Sequence, residues 1–355
     1  SSSQLEDNFG TSFAGKYDSI FLANQSNLNQ NLKDLTRAIA TIYASVLNPN
    51  ALLYRRARGL QDYDERMAVL IQEVQGEQFG RYYLPHGAGV AFSRNTFRWA
   101  PQIKTEDGFV RMVWGLGTRA VDRVGNDYPR VIALSHPLLR PSTNPKMLRQ
   151  YSQKYVDLID LETNSFRTLP IGEVLTADYK PLRYIAQMDA GGYFNPIRSR
   201  VLDGSTNNLV VNYDEFIKRT NFAEIMRDML NVLEKAYRLP VDVEFTISIQ
   251  ESKLGKPEFW ISLVQCRPQS QLMPTAQVQI PKKLPVDDLI FETHFVVPHG
   301  MVDKIDYVVY VPHVPYFSLK TETERTTLAR SVGKVNQLLE KEAFICVGPG
   351  RWGSS

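Results

Sequence analysis

The sequence predicts an α+β fold, and two kinds of pattern support that prediction. Residues 240–268 alternate apolar and polar side chains on both sides of a polar break at residues 251–257, as an antiparallel hairpin does. Apolar residues also recur at helical spacing over residues 26–47 and 221–239. A hairpin together with amphipathic helices long enough to cover it indicates helices packed on an antiparallel sheet.

The two predicted helices have different expected roles. The first ends at Asn48-Pro49, and we expect it to pack in the core without a chemical role. The second has Asn221 as its N-cap, with Glu224 three residues further on, and it stops before Pro240. Because the second helix leads directly into the hairpin, we expect it to pack beneath the first strand.

One end of the hairpin combines two acids, an amide and a guanidinium. Asp242 and Glu244 share a face of the first strand, and Gln265 and Arg267 share a face of the second, because side chains two apart point the same way. Carboxylate and amide oxygens suit Mg²⁺, and a guanidinium suits phosphate, so the cluster indicates a magnesium-polyphosphate site. Two cross-strand salt bridges on a solvated face would use the same residues, and the hairpin alone does not separate the two interpretations.

Composition excludes some classes of protein. The net charge of +3 over 355 residues gives no basic surface that would argue for nucleic-acid binding. No apolar run approaches the roughly 20 residues needed to span a bilayer, so we expect a cytoplasmic protein with no membrane partner. Cys266 and Cys346 lie in apolar strand patterns, which predicts buried free thiols, with a single disulfide as the alternative.

Several blocks of the chain resemble, in the same order, the nucleotide-binding domain of the phosphoenolpyruvate synthase and pyruvate phosphate dikinase family. The hairpin strands match it as Asp-Val-Glu-Phe-Thr and Leu-Val-Gln-Cys-Arg-Pro. The resemblance covers residues 1–270, and ordered blocks are more specific than a single glycine motif. The other matching blocks are residues 1–7, 11–17, 51–58, 69–74, 89–95 and 114–117.

The resemblance implies an ATP-grasp fold, in which two α+β lobes grip a nucleotide. Residues 1–270 are expected to form this domain, residues 271–285 a linker, and residues 286–355 a small additional α/β unit. Family members carry an arginine directly before the serine run near the start of the chain, and a lysine further upstream. Neither position exists in this sequence, so we expect either that the N-terminal lobe is incomplete or that the protein has lost part of the site.

The resemblance also implies where ATP binds in the first 80 residues. Ser12, Phe13, Ala14 and Gly15 resemble the loop that folds over the β- and γ-phosphates. Small hydroxylated residues and a glycine let backbone N–H groups approach an anion closely. Further along, the apolar run over residues 67–74 predicts a central strand, and its last residues are expected to bind the adenine edge through their backbone.

At the hairpin the resemblance implies a role for each polar residue. Glu244 and Gln265 are expected to hold Mg²⁺, and Glu244 and Arg267 are expected to be the catalytic residues, acting by positioning and charge neutralisation. ATP is the expected substrate. The full set of expected ATP contacts is Ser12, Phe13, Ala14, Gly15, Gln72, Val74, Asp242, Glu244, Gln265 and Arg267.

The family splits ATP to AMP and passes the β-phosphoryl group to a histidine on a mobile domain, which carries it to pyruvate. That histidine stands in a Thr-x-His-Ala setting, and none of the five histidines of this chain does. We therefore expect a phosphohistidine-carrying domain elsewhere in the same protein or in another chain, with pyruvate as the acceptor beyond it. The nucleotide half of a glucan or antibiotic dikinase, a nucleotide sensor without transfer, and a purely structural domain are the alternatives.

The last 70 residues predict a small sheet covered by one helix. Strands are expected at residues 289–297, 307–311 and 343–347. Between the last two, Thr321 and Glu324 predict a capping box at the start of a helix. That helix has a single apolar stripe, which should face the sheet.

Overall fold

The computed structural model forms two compact units. The larger contains Ser1–Met273 and Pro285–Pro298, and the smaller contains Pro274–Leu284 and His299–Ser355. The predicted domain boundaries at residues 270 and 285 stay predictions. The structure describes residues 2–3, 17–57, 59–60, 62, 64–95, 99–121, 127–198, 208–251, 256–269, 284–289 and 304–349.

Strands and helices are both abundant and are grouped into several sheets, so the predicted α+β class is confirmed. The strands are β1 (Ser2–Ser3), β2 (Met67–Ala68), β3 (Glu77–Phe79), β4 (Tyr82–Leu84), β5 (Gly87–Phe92), β6 (Phe109–Val113), β7 (Arg130–Ala133), β8 (Tyr155–Asp160), β9 (Ser165–Pro170), β10 (Ala186–Asp189), β11 (Phe194–Pro196), β12 (Leu209–Val211), β13 (Val241–Gln250), β14 (Glu258–Pro268), β15 (Tyr307–Tyr310) and β16 (Phe344–Val347).

Among the residues that the structure describes, three helices are longer than four turns. The α-helices are α1 (Leu28–Ala44), α2 (Pro49–Ala57), α3 (Thr118–Val121), α4 (Pro145–Gln150), α5 (Ile171–Val174), α6 (Leu182–Ile185), α7 (Asp214–Arg219), α8 (Phe222–Tyr237), α9 (His313–Ser318) and α10 (Glu322–Leu338).

The largest sheet has five antiparallel strands in the order β14-β13-β5-β6-β7. The predicted hairpin over residues 240–268 is confirmed, because β13 and β14 pair along their whole length. In β13 the buried residues alternate with half-buried polar ones, so Val241, Val243 and Phe245 face the core. The polar residues of the strand, including Asp242 and Glu244, lie on the opposite face.

Helix α8 packs against the apolar face of β13, as the sequence predicts. Its buried residues Met226 and Leu230 belong to the same core cluster as Val243 and Phe245. The expected N-cap is wrong in one detail, because Asn221 makes no side-chain hydrogen bond to the first turn. Since α8 covers one face of β13, the Asp242 face is left for other contacts.

The turn after β6 connects the main sheet to the four-stranded sheet β3-β4-β8-β9. The Leu116 N–H donates to the carbonyl oxygen of Asp157 in β8 at 2.9 Å. Thr118 and Arg119 donate to the carboxylate of the same residue. Gly115 has φ +98°, and a Cβ atom there would lie 2.4 Å from the Asp157 carbonyl oxygen. The turn therefore requires glycine for both backbone conformation and space.

The predicted strand over residues 67–74 is wrong beyond Ala68. Strand β2 contains only Met67–Ala68, and residues 69–74 pair with no strand in the part of the chain that the structure describes. The side chains of Leu70 and Ile71 are 60% and 63% exposed. An apolar run here does not mark a buried strand.

In the smaller unit, β15 and β16 form a parallel pair. The predicted capping box is confirmed: the Glu324 N–H donates to Thr321 Oγ1, and the Thr321 N–H donates to the Glu324 carboxylate. The apolar stripe of α10 is half-buried, and the helix has no buried residue in the described region. The strand expected over residues 289–297 lies outside the described residues from 290 onward.

Both cysteines are free, as predicted, but Cys266 and Cys346 are half-buried rather than buried. Among the helices that the structure describes, none combines the length and the apolar character needed to cross a bilayer.

Candidate functional site

The polar end of the hairpin brings four of the predicted site residues into register. Asp242 lies directly opposite Arg267, and Glu244 lies directly opposite Gln265. Directly opposite residues of antiparallel strands share a face, so all four side chains project from the same side of the sheet. Each of them is half-buried.

Arg267 forms an ion pair with both acids. Its Nε lies 3.4 Å from Asp242 Oδ1, and its Nη2 lies 3.5 Å from Glu244 Oε1. Burial raises the pKa of the Asp242 carboxyl above its usual range, and the nearby guanidinium offsets only part of that rise. A nearby cation therefore offsets the negative charge of the two acids. The Arg267 side chain is also partly exposed, so its guanidinium can still bind another group.

A β-bulge follows directly after the Glu244–Gln265 pair. The register shifts between Glu244 and Phe245, which lies opposite Leu263, so Val264 is the additional residue of β14. The Val264 carbonyl oxygen accepts a hydrogen bond from Gln72 Nε2 at 3.0 Å. The bulge thus connects the hairpin to the segment of residues 69–74, which lies 192 positions earlier in the chain.

Residues 69–74 form one wall of a cleft of about 870 Å³. Helix α1 forms a second wall, and the lining also includes Ile20, residues 22–25, Tyr83, and residues at the end of β8 and in the β8–β9 turn. Leu28 and Leu32 of α1 and Leu70 and Ile71 line the cleft with exposed aliphatic side chains. Concave sites with mainly apolar walls and a few polar groups are typical of small-molecule binding.

The cleft corrects the expected role of α1. Only Ala38 and Ile42 of this helix are buried, whereas Leu28 and Leu32 are 83% and 61% exposed. The expectation that α1 serves only core packing is therefore wrong, because part of its apolar face borders the cleft.

Comparison with known families decides the affiliation of the chain. A family model described as pyruvate phosphate dikinase, AMP/ATP-binding domain, matches residues 1–287. The chain belongs to this family. A search among curated proteins finds no match to the sequence.

The family is described as an AMP/ATP-binding domain, so membership implies ATP as the nucleotide of this domain. It confirms the resemblance that the ordered blocks predict over residues 1–270. The family match extends through the hairpin and ends at residue 287, before β15 begins.

The structure places the other predicted ATP contacts as follows. Gln72 and Val74 both line the cleft. The Val74 carbonyl oxygen accepts a hydrogen bond from the Tyr83 hydroxyl at 3.0 Å, which leaves one of its lone pairs for another donor. The expected phosphate loop of residues 12–15 lies outside the described residues.

The donor atoms at the hairpin suit Mg²⁺ when phosphates complete its coordination. No cluster of three or more His, Cys, Asp or Glu side chains that could hold a metal occurs in the described ranges. Mg²⁺ usually takes one or two carboxylates, with water and substrate phosphates as the remaining ligands. Glu244, Gln265 and Asp242 supply that smaller donor set on one face.

One charged residue on this face belongs to no recognisable motif. Arg111 lies at the centre of β6, and its neighbours Val110 and Met112 are buried. The sequence indicates Arg111 only as a charged residue in the middle of an apolar strand.

Proposed function

We propose that the larger unit is an ATP-grasp domain that binds Mg-ATP between the cleft and the hairpin. The adenine lies in the cleft beside residues 69–74, and the triphosphate lies over Asp242, Glu244, Gln265 and Arg267. The observation that supports this arrangement is the hydrogen bond from Gln72 to Val264 at 3.0 Å, because it joins the two halves of the predicted site.

The cleft suits the adenine ring for two physical reasons. Its exposed leucines and isoleucine lose contact with water when a flat apolar ring enters, which is favourable. The segment over residues 69–74 has no ladder partner among the described strands, so its backbone is suited to bind the base edge.

Mg²⁺ would be held by Glu244 and Gln265, with Asp242 adding negative charge nearby. When bound, the metal supplies charge neutralisation to the phosphates. Arg267 provides a planar guanidinium that binds phosphate oxygens in pairs, and it lies close to both acids before the nucleotide arrives.

We further propose that the bound ATP is split to AMP, and that its β-phosphoryl group passes to a histidine of another domain, in this protein or a second chain. The histidines that the structure describes do not suit this role. His86 is buried, and its Nδ1 accepts the N–H of Ile249 at 2.8 Å. His136 is bonded through Nδ1 to the Ser135 hydroxyl, and His313 begins α9 in the smaller unit.

Calorimetric titration with Mg-ATP and Mg-GTP tests the adenine assignment. We expect Mg-ATP to bind about tenfold more tightly than Mg-GTP. A backbone carbonyl that accepts a hydrogen bond from the 6-amino group of adenine would face a carbonyl oxygen at the same position of guanine. Equal affinity for the two nucleotides, or no binding of either at millimolar concentration, would remove the assignment of residues 69–74.

Two glutamine substitutions test whether the affinity measured in that titration depends on the predicted site. Gln72→Ala should weaken Mg-ATP binding, because it breaks the bond to Val264. Gln78→Ala is the matched control. Gln78 Nε2 donates to the Gly80 carbonyl oxygen at 2.9 Å, and Gln78 does not line the cleft. Equal effects of the two substitutions would contradict the role of Gln72.

A further inference from the structure

Arg111 interrupts a strand that is otherwise buried. The other four residues of β6 are buried, whereas Arg111 is half-buried. Removing a charged group from water costs free energy unless other charges or polar groups compensate for it. The groups that lie near the Arg111 guanidinium therefore indicate its role, and the strand pairing shows where it lies relative to the hairpin.

The pairing of the strands places Arg111 on the face that carries the hairpin cluster. Arg111 lies directly opposite Val90 of β5, Val90 lies opposite Glu244 of β13, and Glu244 lies opposite Gln265. All four side chains consequently project from one side of the sheet. With neighbouring strands about 4.8 Å apart, the Cα atoms of Arg111 and Glu244 are about 10 Å apart.

Two aromatic rings contact the guanidinium of Arg111. Its central carbon lies 5.4 Å from the ring centroid of Phe92 and 5.8 Å from that of Phe109. The two rings stack on each other, with centroids 4.5 Å apart and planes 8° apart. Phe92 lies directly opposite Asp242, so one of the two rings that contact Arg111 is the cross-strand neighbour of an acid of the hairpin cluster.

This face therefore carries an arginine on each side of the two acids. Arg267 lies on β14, Asp242 and Glu244 lie on β13, and Arg111 lies beyond β5 on β6. One Mg²⁺ neutralises only part of the charge of a triphosphate, and arginines commonly complete that neutralisation during phosphoryl transfer.

We propose that Arg111 is a second phosphate-binding arginine, which binds the triphosphate of the nucleotide from the β6 side while Arg267 binds it from the β14 side. This inference rests on the proposed function, because that function places the nucleotide on this face of the sheet.

Titration of Arg111→Met with Mg-ATP and with adenosine tests the proposal. Methionine keeps an unbranched stem against the two rings and removes the charge. We expect the affinity for Mg-ATP to fall about tenfold to a hundredfold and the affinity for adenosine to stay unchanged. Arg111→Lys should give an intermediate loss, because it keeps the charge without the planar fork.

Arg183→Met is the matched control, because Arg183 also lies over an aromatic ring and pairs with an acid away from this face. Its central carbon is 4.9 Å from the ring centroid of Tyr184, and its Nε is 3.2 Å from Glu251 Oε1. This control should bind both ligands like the unmodified protein.

Three outcomes would overturn the role of Arg111. If Arg111→Met binds Mg-ATP like the unmodified protein while Arg267→Ala does not, the phosphate-binding role of Arg111 is refuted and the proposed function stands. If Arg111→Met loses Mg-ATP and adenosine to the same extent and melts at a lower temperature, the arginine is only structural. If the unmodified protein binds no Mg-ATP, both this inference and the proposed function fail.

Discussion

Replacement of Arg267 by alanine is expected to weaken Mg-ATP binding about thirtyfold or more and to leave adenosine binding nearly unchanged. Truncating one partner of a desolvated, hydrogen-bonded charge pair typically costs about 2–5 kcal/mol, and each 1.4 kcal/mol is a factor of about ten. Without the guanidinium, the phosphates would also meet Asp242 and Glu244 with less positive charge between them. Calorimetry with both ligands measures the difference.

Glu244→Gln should act in another way at the same site. The substitution keeps the shape of the side chain but removes the charge that suits Mg²⁺, so the enhancement of ATP binding by Mg²⁺ should shrink. Titrations of ATP with Mg²⁺ and with a chelator measure that enhancement. Arg183→Ala, which removes an arginine paired with Glu251, controls for general loss of an ion pair. The hairpin assignment is wrong if Arg267→Ala and Glu244→Gln both bind ATP like the unmodified protein.

The second large effect concerns phosphoryl transfer and is all-or-none. The chain incubated with β-labelled Mg-ATP is expected to acquire no acid-labile, base-stable label and to form no AMP above background. The reason is that no histidine of the sequence stands in the Thr-x-His-Ala setting of the family's acceptor. Among the described histidines, His86 is additionally buried and hydrogen-bonded to the backbone of β13.

Phosphoamino-acid analysis with peptide mapping decides between the sources of any label. Label on His294 or His299 would contradict the expectation and make the C-terminal part of the chain a divergent acceptor. Label that forms only after a second protein is added, and on that protein, would support transfer to another chain. The same assay separates a transferring domain from a nucleotide sensor, which would bind ATP and never pass on its phosphate.

The hairpin could be predicted from the sequence because two independent signals agree there. The alternation in β13 fixes which residues face the core, and a slip by one residue would bury Asp242 and expose Val243. The polar break then fixes the pairing next to the turn, Gln250 with Glu258, whereas the pairing of Glu244 with Gln265 also depends on the bulge at Val264. The capping box at Thr321 was equally readable, since both of its hydrogen bonds are local.

Other features could not be predicted because they depend on contacts between distant parts of the chain. Helical periodicity in α1 looks the same whether the apolar stripe meets a core or an open cleft, so the sequence does not show that Leu28 and Leu32 are exposed. The run over residues 69–74 is apolar enough for a strand, yet no described strand pairs with it. The bulge at Val264 has no sequence signal of its own, and the bond from Gln72 to that residue spans 192 positions.

Amide hydrogen exchange with and without Mg-ATP is the most direct test of where the nucleotide binds. Residues 69–74 have no ladder partner among the described strands, and β14 lies at the edge of its sheet, so exchange in both regions should be measurable. Saturating Mg-ATP is predicted to slow exchange in peptides that cover residues 69–76 and 258–268. Unchanged exchange in both peptides, with slowing elsewhere in the chain, would contradict the placement of ATP between the cleft and the hairpin.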